Sequence, residues 1–282
     1  MKKRIGKFMG VSGVRLCMQS WKPDDNADVV AAVILMHGGN NYCDMEMYNK
    51  FADTLVGKNY AVYSFDQRGF GRSEGRNMHM ESWHYIRGDF SAFIRLVQTL
   101  EPGKPLFAFG ISFGACQVID QAIVSPHMLN GIIAASFSTR PVNVSSIAVG
   151  LINVLGGIFP KLAMKATPLP SFKDAETKMP GTNLWEDPLC PRTMTLAFTK
   201  GLFKRQEELA NDIKYLTIPM LHLQGADDTI TLPDNTVVNR VGTKDYTYKE
   251  YPKTGHEVLM GGNPDTITKD ILHWLDGRIH LG

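Results

Sequence analysis

The sequence predicts an α/β fold: a mostly parallel sheet flanked by helices, interrupted by an inserted cap. Three observations predict it. Short, continuous apolar runs recur along the chain, as strands buried on both faces of a parallel sheet require. Between them lie helix-length segments whose apolar residues recur at spacings of three and four. The alternation then fails between about Arg140 and Tyr215 before it resumes, and so long an interruption within one domain reads as a lid or subdomain.

Each element follows from local pattern. Residues 4–20 alternate imperfectly around Gly10-Val11-Ser12-Gly13, which predicts an opening hairpin. Val29–Met36 is an apolar run ending at His37-Gly38-Gly39, and Tyr60–Phe65, Pro105–Phe109, Gly131–Ala135 and Ile218–Leu223 continue the series. Tyr246–Tyr251 is extended. Trp83, Ile86, Phe90, Phe93, Ile94, Val97 and Leu100 mark one helix face, with Ser82 as N-cap and Pro102-Gly103 as the stop. Ala115–Val124, Thr193–Leu209 and a C-terminal segment from Pro264 are also helix-like. The core is therefore expected over 1–139 and 216–282, and the cap over 140–215.

Composition narrows the function classes. A chain of 282 residues, 44% hydrophobic and 21% charged, suits one soluble α/β domain with an insertion. A net charge of +2 without a long basic run argues against nucleic acid as a partner. Cys17, Cys43, Cys116 and Cys190 lie far apart with no Cys-x-x-Cys spacing, which argues against structural zinc and for a reduced, cytoplasmic setting. The basic start Met1-Lys2-Lys3-Arg4 is followed by Gly6, Lys7, Gly10 and Gly13 rather than an apolar stretch, so secretion is not indicated. Pro141–Pro160 has no charge and is long enough to span a bilayer, but Asn143, Ser145, Ser146, Asn153 and three glycines weigh against a span. It reads instead as a lid helix with an apolar face, able to touch a membrane surface peripherally. Part of this run, with Trp185, Leu196, Phe198, Leu202 and Phe203, is expected to line an acyl tunnel.

Four motifs point to nucleophilic chemistry that needs no cofactor and no metal. Gly110-Ile111-Ser112-Phe113-Gly114 follows a strand and precedes a helix, the context in which a G-x-S-x-G turn exposes a serine nucleophile. Serine is barely ionised at neutral pH and requires a general base. His256 in Lys253-Thr254-Gly255-His256-Glu257 suits that role, lying in a polar loop between an extended segment and the last helix. His222 and His273 sit within elements, His79, His84 and His127 lack a strand-end setting, and His37 belongs to another motif. The base needs an orienting carboxylate, and Leu223-Gln224-Gly225-Ala226-Asp227-Asp228 places two candidates just past a strand end. The chain order serine, aspartate, histidine is that of the α/β-hydrolases. His37-Gly38-Gly39-Asn40 can aim the Gly39 amide at a developing oxyanion, with the Phe113 amide as second donor. Asp66-Gln67-Arg68-Gly69-Phe70-Gly71-Arg72-Ser73 is given a structural role, Asp66 bonding loop amides.

Taken together these residues resemble the monoglyceride lipase and lysophospholipase branch of the α/β-hydrolase superfamily. The shared elements are His37-Gly38-Gly39, Asp66-x-Arg68-Gly69-x-Gly71-x-Ser73-x-Gly75, Gly110–Gly114, Leu223–Asp228 and Gly255-His256, which span nearly the whole chain. The resemblance implies a cap inserted after the strand near Ala135, no metal, and small-molecule monoacyl esters such as monoacylglycerol or lysophospholipid as substrates. Its G-x-x-D pattern falls on Gly225 and Asp228, which gives the third catalytic role to Asp228 rather than Asp227. The chain departs from the family at Asn40, which replaces a second glycine, and at Asn41-Tyr42, which replaces a Glu-His pair. Ile111 and Phe113 replace a usual histidine and methionine around the serine. Recognition of a glycerol head by the Glu-His pair therefore does not carry over. An acyl thioesterase or acyltransferase would use the same acyl-enzyme. A non-catalytic binding module would need neither the triad nor the oxyanion turn.

Overall fold

A hairpin opens the chain, its strands β1 (Lys2–Met9) and β2 (Arg15–Lys22) antiparallel and in register from Lys2 opposite Lys22 to Met9 opposite Arg15. The computed structural model describes residues 2–24, 28–139, 144–165, 187–231, 233, 237 and 239–279. Six parallel strands continue the sheet: β3 (Ala31–Met36), β4 (Tyr60–Phe65), β5 (Leu106–Ile111), β6 (Gly131–Ala135), β9 (Met220–Gly225) and β10 (Tyr246–Tyr251). The order across this eight-stranded sheet is β1-β2-β4-β3-β5-β6-β9-β10.

The apolar runs are strands because both faces of the sheet are covered. Successive side chains point to opposite faces. Ile34, Ala108 and Ile132 therefore pack with Phe90, Phe93, Ile94 and Val97 of α2 (Trp83–Leu100), and with Ala115, Val118 and Ile119 of α3 (Phe113–Val124). Val33, Leu35, Phe107 and Phe109 point the other way, toward Phe51 and Leu55 of α1 (Glu46–Val56) and Ile271 and Trp274 of α6 (Pro264–Asp276). Ser82 caps α2 as expected, accepting from the His84 amide at 3.2 Å. β4, β6 and β10 keep the expected bounds, whereas β3 starts two residues later, β5 ends two residues later and β9 shifts by two. Gly110 pairs with Met36 and Ala134, which draws the glycine into β5, and β9 extends to Gly225 opposite Tyr251.

Between β6 and β9 the described residues form α4 (Ser146–Ile158), a small antiparallel pair of β7 (Ala163–Lys165) and β8 (Thr193–Thr195), and α5 (Leu196–Asp212). The helix expected from Thr193 begins at Leu196. Residues 193–195 pair with β7 instead, and extended Thr195 caps α5 by accepting from the Phe198 amide at 3.2 Å. A buried ion cluster fixes α5 to the core: Arg205 pairs with Asp120 of α3, which also accepts from Arg87 of α2 at 2.6 and 2.8 Å. The expectation that the uncharged run lines a tunnel is corrected over its described part. Only Gly156 of α4 is buried, while Ile147 is 84%, Val154 60% and Ile158 63% exposed. The 13 residues of α4 rise about 20 Å at 1.5 Å per residue, and no helix among the described residues is long and apolar enough to cross a membrane. Trp185, the prolines at 168, 170 and 180, and the expected start of the insertion at Arg140 lie outside the described residues.

Candidate active site

Parallel strands end together, and the residues singled out by motif stand just beyond the C-terminal ends of β3, β5, β9 and β10. Ser112 follows β5 with φ 54° and ψ −111°, a left-handed conformation that turns the chain sharply into α3. The two flanking glycines allow this turn by close approach. A Cβ on Gly110 would overlap the Gly114 carbonyl, and one on Gly114 would overlap the Met36 carbonyl oxygen. The Ser112 amide donates to the Ala135 carbonyl at 2.9 Å, fixing the turn to the end of β6, and the residue remains half-buried rather than sealed.

His256 lies in the loop after β10 and is 3% exposed. Its Nδ1 faces Asp228 Oδ2 at 2.9 Å. Asp228 is held from several sides: Oδ1 accepts from the Ile230 and Thr231 amides at 2.8 and 2.9 Å, and Oδ2 accepts from Thr231 Oγ1 at 2.6 Å and Gln224 Nε2 at 3.1 Å. Burial alone would raise the Asp228 carboxyl, but the hydrogen bond and charge of His256, with the Thr231 donors, outweigh it and hold the group below the usual carboxylate range. Burial likewise favours the neutral His256 ring, and the Asp228 hydrogen bond and charge overcome it, leaving the imidazole above its ordinary value. Asp227 is exposed, its amide donating to the Thr254 carbonyl at 2.9 Å. Of the two adjacent carboxylates, Asp228 alone meets the imidazole.

Of the two expected oxyanion donors, Gly39 lies in the turn after β3 and Phe113 at the start of α3. His37 is fully buried and structural, its Nε2 accepting from the Gln67 amide at 3.0 Å. Gln67 Nε2 donates to the His37 carbonyl at 2.7 Å, and Gln67 Oε1 accepts from Gln117 Nε2 of α3 at 2.6 Å, which ties the turn to the serine-bearing helix. Asn40 adopts φ 60°, a conformation that asparagine tolerates better than most residues, so it can stand where the family has glycine. Phe113 opens α3, and its amide is one of the first-turn N–H groups without a partner inside the helix. Tyr42 Oη donates to Asp187 at 2.7 Å, joining this turn to the segment between β6 and β9. Asp66 bonds the Cys43 and Arg72 amides at 2.8 and 2.9 Å, the structural role expected of it.

A buried apolar cluster packs around Phe113, the residue after the serine. The Phe113 ring lies 5.0 Å from Phe198 of α5, and 6.0 Å from both Phe70 and Trp83. Met78, Met80 and Ile86 complete the cluster, with Leu202 packed against it.

The aspartate and histidine are joined, whereas no hydrogen bond links Ser112 to His256. Bonds between nucleophile and base are often long in unliganded enzymes and tighten with substrate. The link between them is indirect: Ala135 accepts the Ser112 amide, and the next residue, Ser136, donates its hydroxyl to the His256 carbonyl at 2.6 Å. Ser136, Thr231, Gln224 and Tyr48 went unseen in the sequence. Only the polar identity of Thr231, three residues past Asp228, offered a local signal.

Comparison with known proteins adds a family. Residues 27–263 match the Hydrolase_4 model, described as serine aminopeptidase, S33. The chain is 24% identical to the monoacylglycerol lipase of Mycolicibacterium smegmatis over 274 residues, covering 95% of each chain. It is 25% identical to human monoglyceride lipase over 280 residues, covering 96% of this chain and 90% of that one. Among solved structures, the Paleococcus ferrophilus monoacylglycerol lipase superposes with a TM-score of 0.78 at 25% identity, covering 99% of this chain and all of the other.

Proposed function

The chain belongs to the Hydrolase_4 (serine aminopeptidase, S33) family and is a serine hydrolase acting on ester bonds, and from that premise we propose that it cleaves monoacyl esters, monoacylglycerol foremost, through an acyl-enzyme on Ser112. The observation that carries this reading is the buried His256–Asp228 pair, 2.9 Å apart, at the sheet edge that also holds the Ser112 turn.

In this reading His256 Nε2 takes the Ser112 proton as Oγ bonds to the substrate carbonyl carbon. The Gly39 and Phe113 amides receive the oxyanion. Asp228 holds the proton on Nδ1 and stabilises the imidazolium. His256 then gives its proton to the departing alcohol, and the ester C–O bond breaks. Water repeats the sequence against the acyl-enzyme, releasing the carboxylic acid and restoring Ser112. The described residues between β6 and β9, 144–165 and 187–215, form a cap over this edge, supported by the Tyr42–Asp187 hydrogen bond and by Phe198 against Phe113. The acyl chain lies along the Phe70, Phe113 and Phe198 wall. The outward Ile147, Leu151, Val154 and Ile158 stripe of α4, 57% to 84% exposed, rests transiently on a membrane surface that supplies the lipid. The four cysteines, all buried as free thiols, suit a cytoplasmic setting.

The test compares monoacylglycerol, lysophospholipid, acyl-CoA and p-nitrophenyl esters on the wild type and Ser112→Ala. Monoacylglycerol should be hydrolysed fastest. Ser112→Ala should lose at least about a thousandfold and no longer be labelled by a fluorophosphonate. A higher kcat/KM on acyl-CoA would move the substrate to thioesters, and labelling at another residue would overturn the nucleophile. Sedimentation with lipid vesicles should carry down the wild type and release Leu151→Ser/Ile158→Ser. Equal sedimentation of both would remove α4 from the membrane.

A further inference from the structure

Glu257 follows His256 directly and takes no part in the steps above. It is 8% exposed, and its Oε2 is buried without a hydrogen-bond partner. The groups facing its carboxyl are His256 and Asp228, Asn41 from the turn after β3, and Tyr48 from α1. Asn41 is fully buried, and its Oδ1 likewise lacks a donor. Its Nδ2 donates to the Tyr48 hydroxyl at 3.4 Å, and the same hydroxyl accepts from the Gly38 amide at 3.3 Å.

Asn41 hydrogen-bonds the Glu257 carboxyl, yet Glu257 Oε2 and Asn41 Oδ1 are each buried without a donor, so this buried pair is short of a hydrogen. A buried carboxylate without adequate donors neutralises rather than persists. A second anion next to Asp228 would also be opposed by that charge. A proton on Glu257 gives the carboxyl one O–H to donate, which supplies the missing hydrogen. Burial pushes the Glu257 carboxyl above its ordinary range against the pull of His256 and Asn41. Neutrality also suits the chemistry. A fixed anion behind the Gly38–Gly39 turn would oppose the oxyanion that the turn receives, whereas a neutral acid would not.

We propose that Glu257 is a positioning residue, held as the neutral acid, that fixes the His256 loop to the Gly38–Gly39 turn through Asn41 and Tyr48. The proposal rests on the assignment of His256 as the base and of this turn as the oxyanion site. It places the base and an oxyanion donor in one frame, although they come from opposite ends of the chain.

The experiment measures kcat, KM and pH profiles of the wild type, Glu257→Gln and Glu257→Ala on p-nitrophenyl butyrate, with thermal melts alongside. Glutamine copies the shape and donor of a neutral acid. Glu257→Gln should keep kcat within about threefold and leave the pH midpoint unmoved, whereas Glu257→Ala should lose about tenfold or more in kcat with KM little changed, as for an interaction realised in the transition state. The infrared difference between the wild type and Glu257→Gln should show a protonated carboxyl lost, a readout independent of ester turnover. A lowered pH midpoint in Glu257→Gln, or the absence of that carboxyl band, would show an anion and overturn the proposal. So would a Glu257→Ala enzyme with wild-type kcat. If Glu257→Ala does not fold, the glutamine variant and the infrared band still decide. A wild type inert toward every ester would instead overturn the catalytic assignment, with the infrared band still reporting the state of Glu257.

Discussion

Ser136 donates its hydroxyl to the His256 carbonyl at 2.6 Å, across 120 residues of sequence. Both groups are buried, and Ser136 itself sits at φ 51°. The His256 loop is therefore hung from the end of β6, next to the residue that receives the Ser112 amide. Ser136→Ala would leave the His256 carbonyl without that donor, a loss of about 1–3 kcal/mol for a buried group. Urea melts should show the lower stability, and kcat should fall as the imidazole loses its frame. A variant with wild-type stability and kcat would show that the loop is held elsewhere.

The two neighbouring aspartates should behave differently. Asp228 is buried against His256, while Asp227 is exposed. Asp228→Asn allows the wrong imidazole tautomer and should cost about ten-thousandfold in kcat, as in a well-studied triad. Asp227→Asn should stay within about tenfold, or roughly 1.4 kcal/mol in the barrier. Steady-state kinetics of both variants on one ester is sufficient. The reverse result would move the orienting role by one residue.

The pH profile follows from the direction of the His256 shift. Only the neutral imidazole accepts the serine proton, so activity appears as pH rises through the His256 pKa. Asp228 raises that pKa above the ordinary 6.5 despite burial. The rising limb of kcat/KM should therefore have its midpoint above 6.5. In Asp228→Asn the residual activity should rise at lower pH, because the charge that favours the imidazolium is gone. An unmoved midpoint in that variant would detach the limb from the pair.

Acyl length should register on the aromatic wall. Each buried methylene is worth about 0.8 kcal/mol, or roughly fourfold in kcat/KM, until the space is filled. The ester series should climb from acetyl to octanoyl or beyond, and Phe198→Ala should flatten the climb while sparing acetyl. A maximum at acetyl would mean a closed site for small esters.

Much of this arrangement was legible before folding. Tyr60–Phe65, Gly131–Ala135 and Trp83–Leu100 are bounded as their patterns predict, because continuous burial or a regular stripe decides them locally. The sharp turn at Ser112 and the contact of Asp228 with His256 were readable because their motifs and strand-end setting are local signals. The α1 helix was not, since Met45 gives no side-chain cap to mark its start. The uncharged run was legible as a helix with an apolar face, but not which way that face turns, because such a run reads alike whether it faces a core or solvent. Ser136 bonds a carbonyl 120 residues away and Tyr48 accepts from the Gly38 amide of another loop, so no spacing announces them.

The Arg205–Asp120–Arg87 cluster bears on how substrate enters. Separating α5 from α3 would take one guanidinium away from a carboxylate that is 1% exposed. Asp120 would keep its two hydrogen bonds to Arg87, but Arg205 would lose a buried partner. A wholesale swing of α5 away from α3 is therefore opposed. Traffic to the serine is accordingly expected around a stationary α5, through breathing of the α4 side, so that the rate of admission is set by small local openings and not by a hinge.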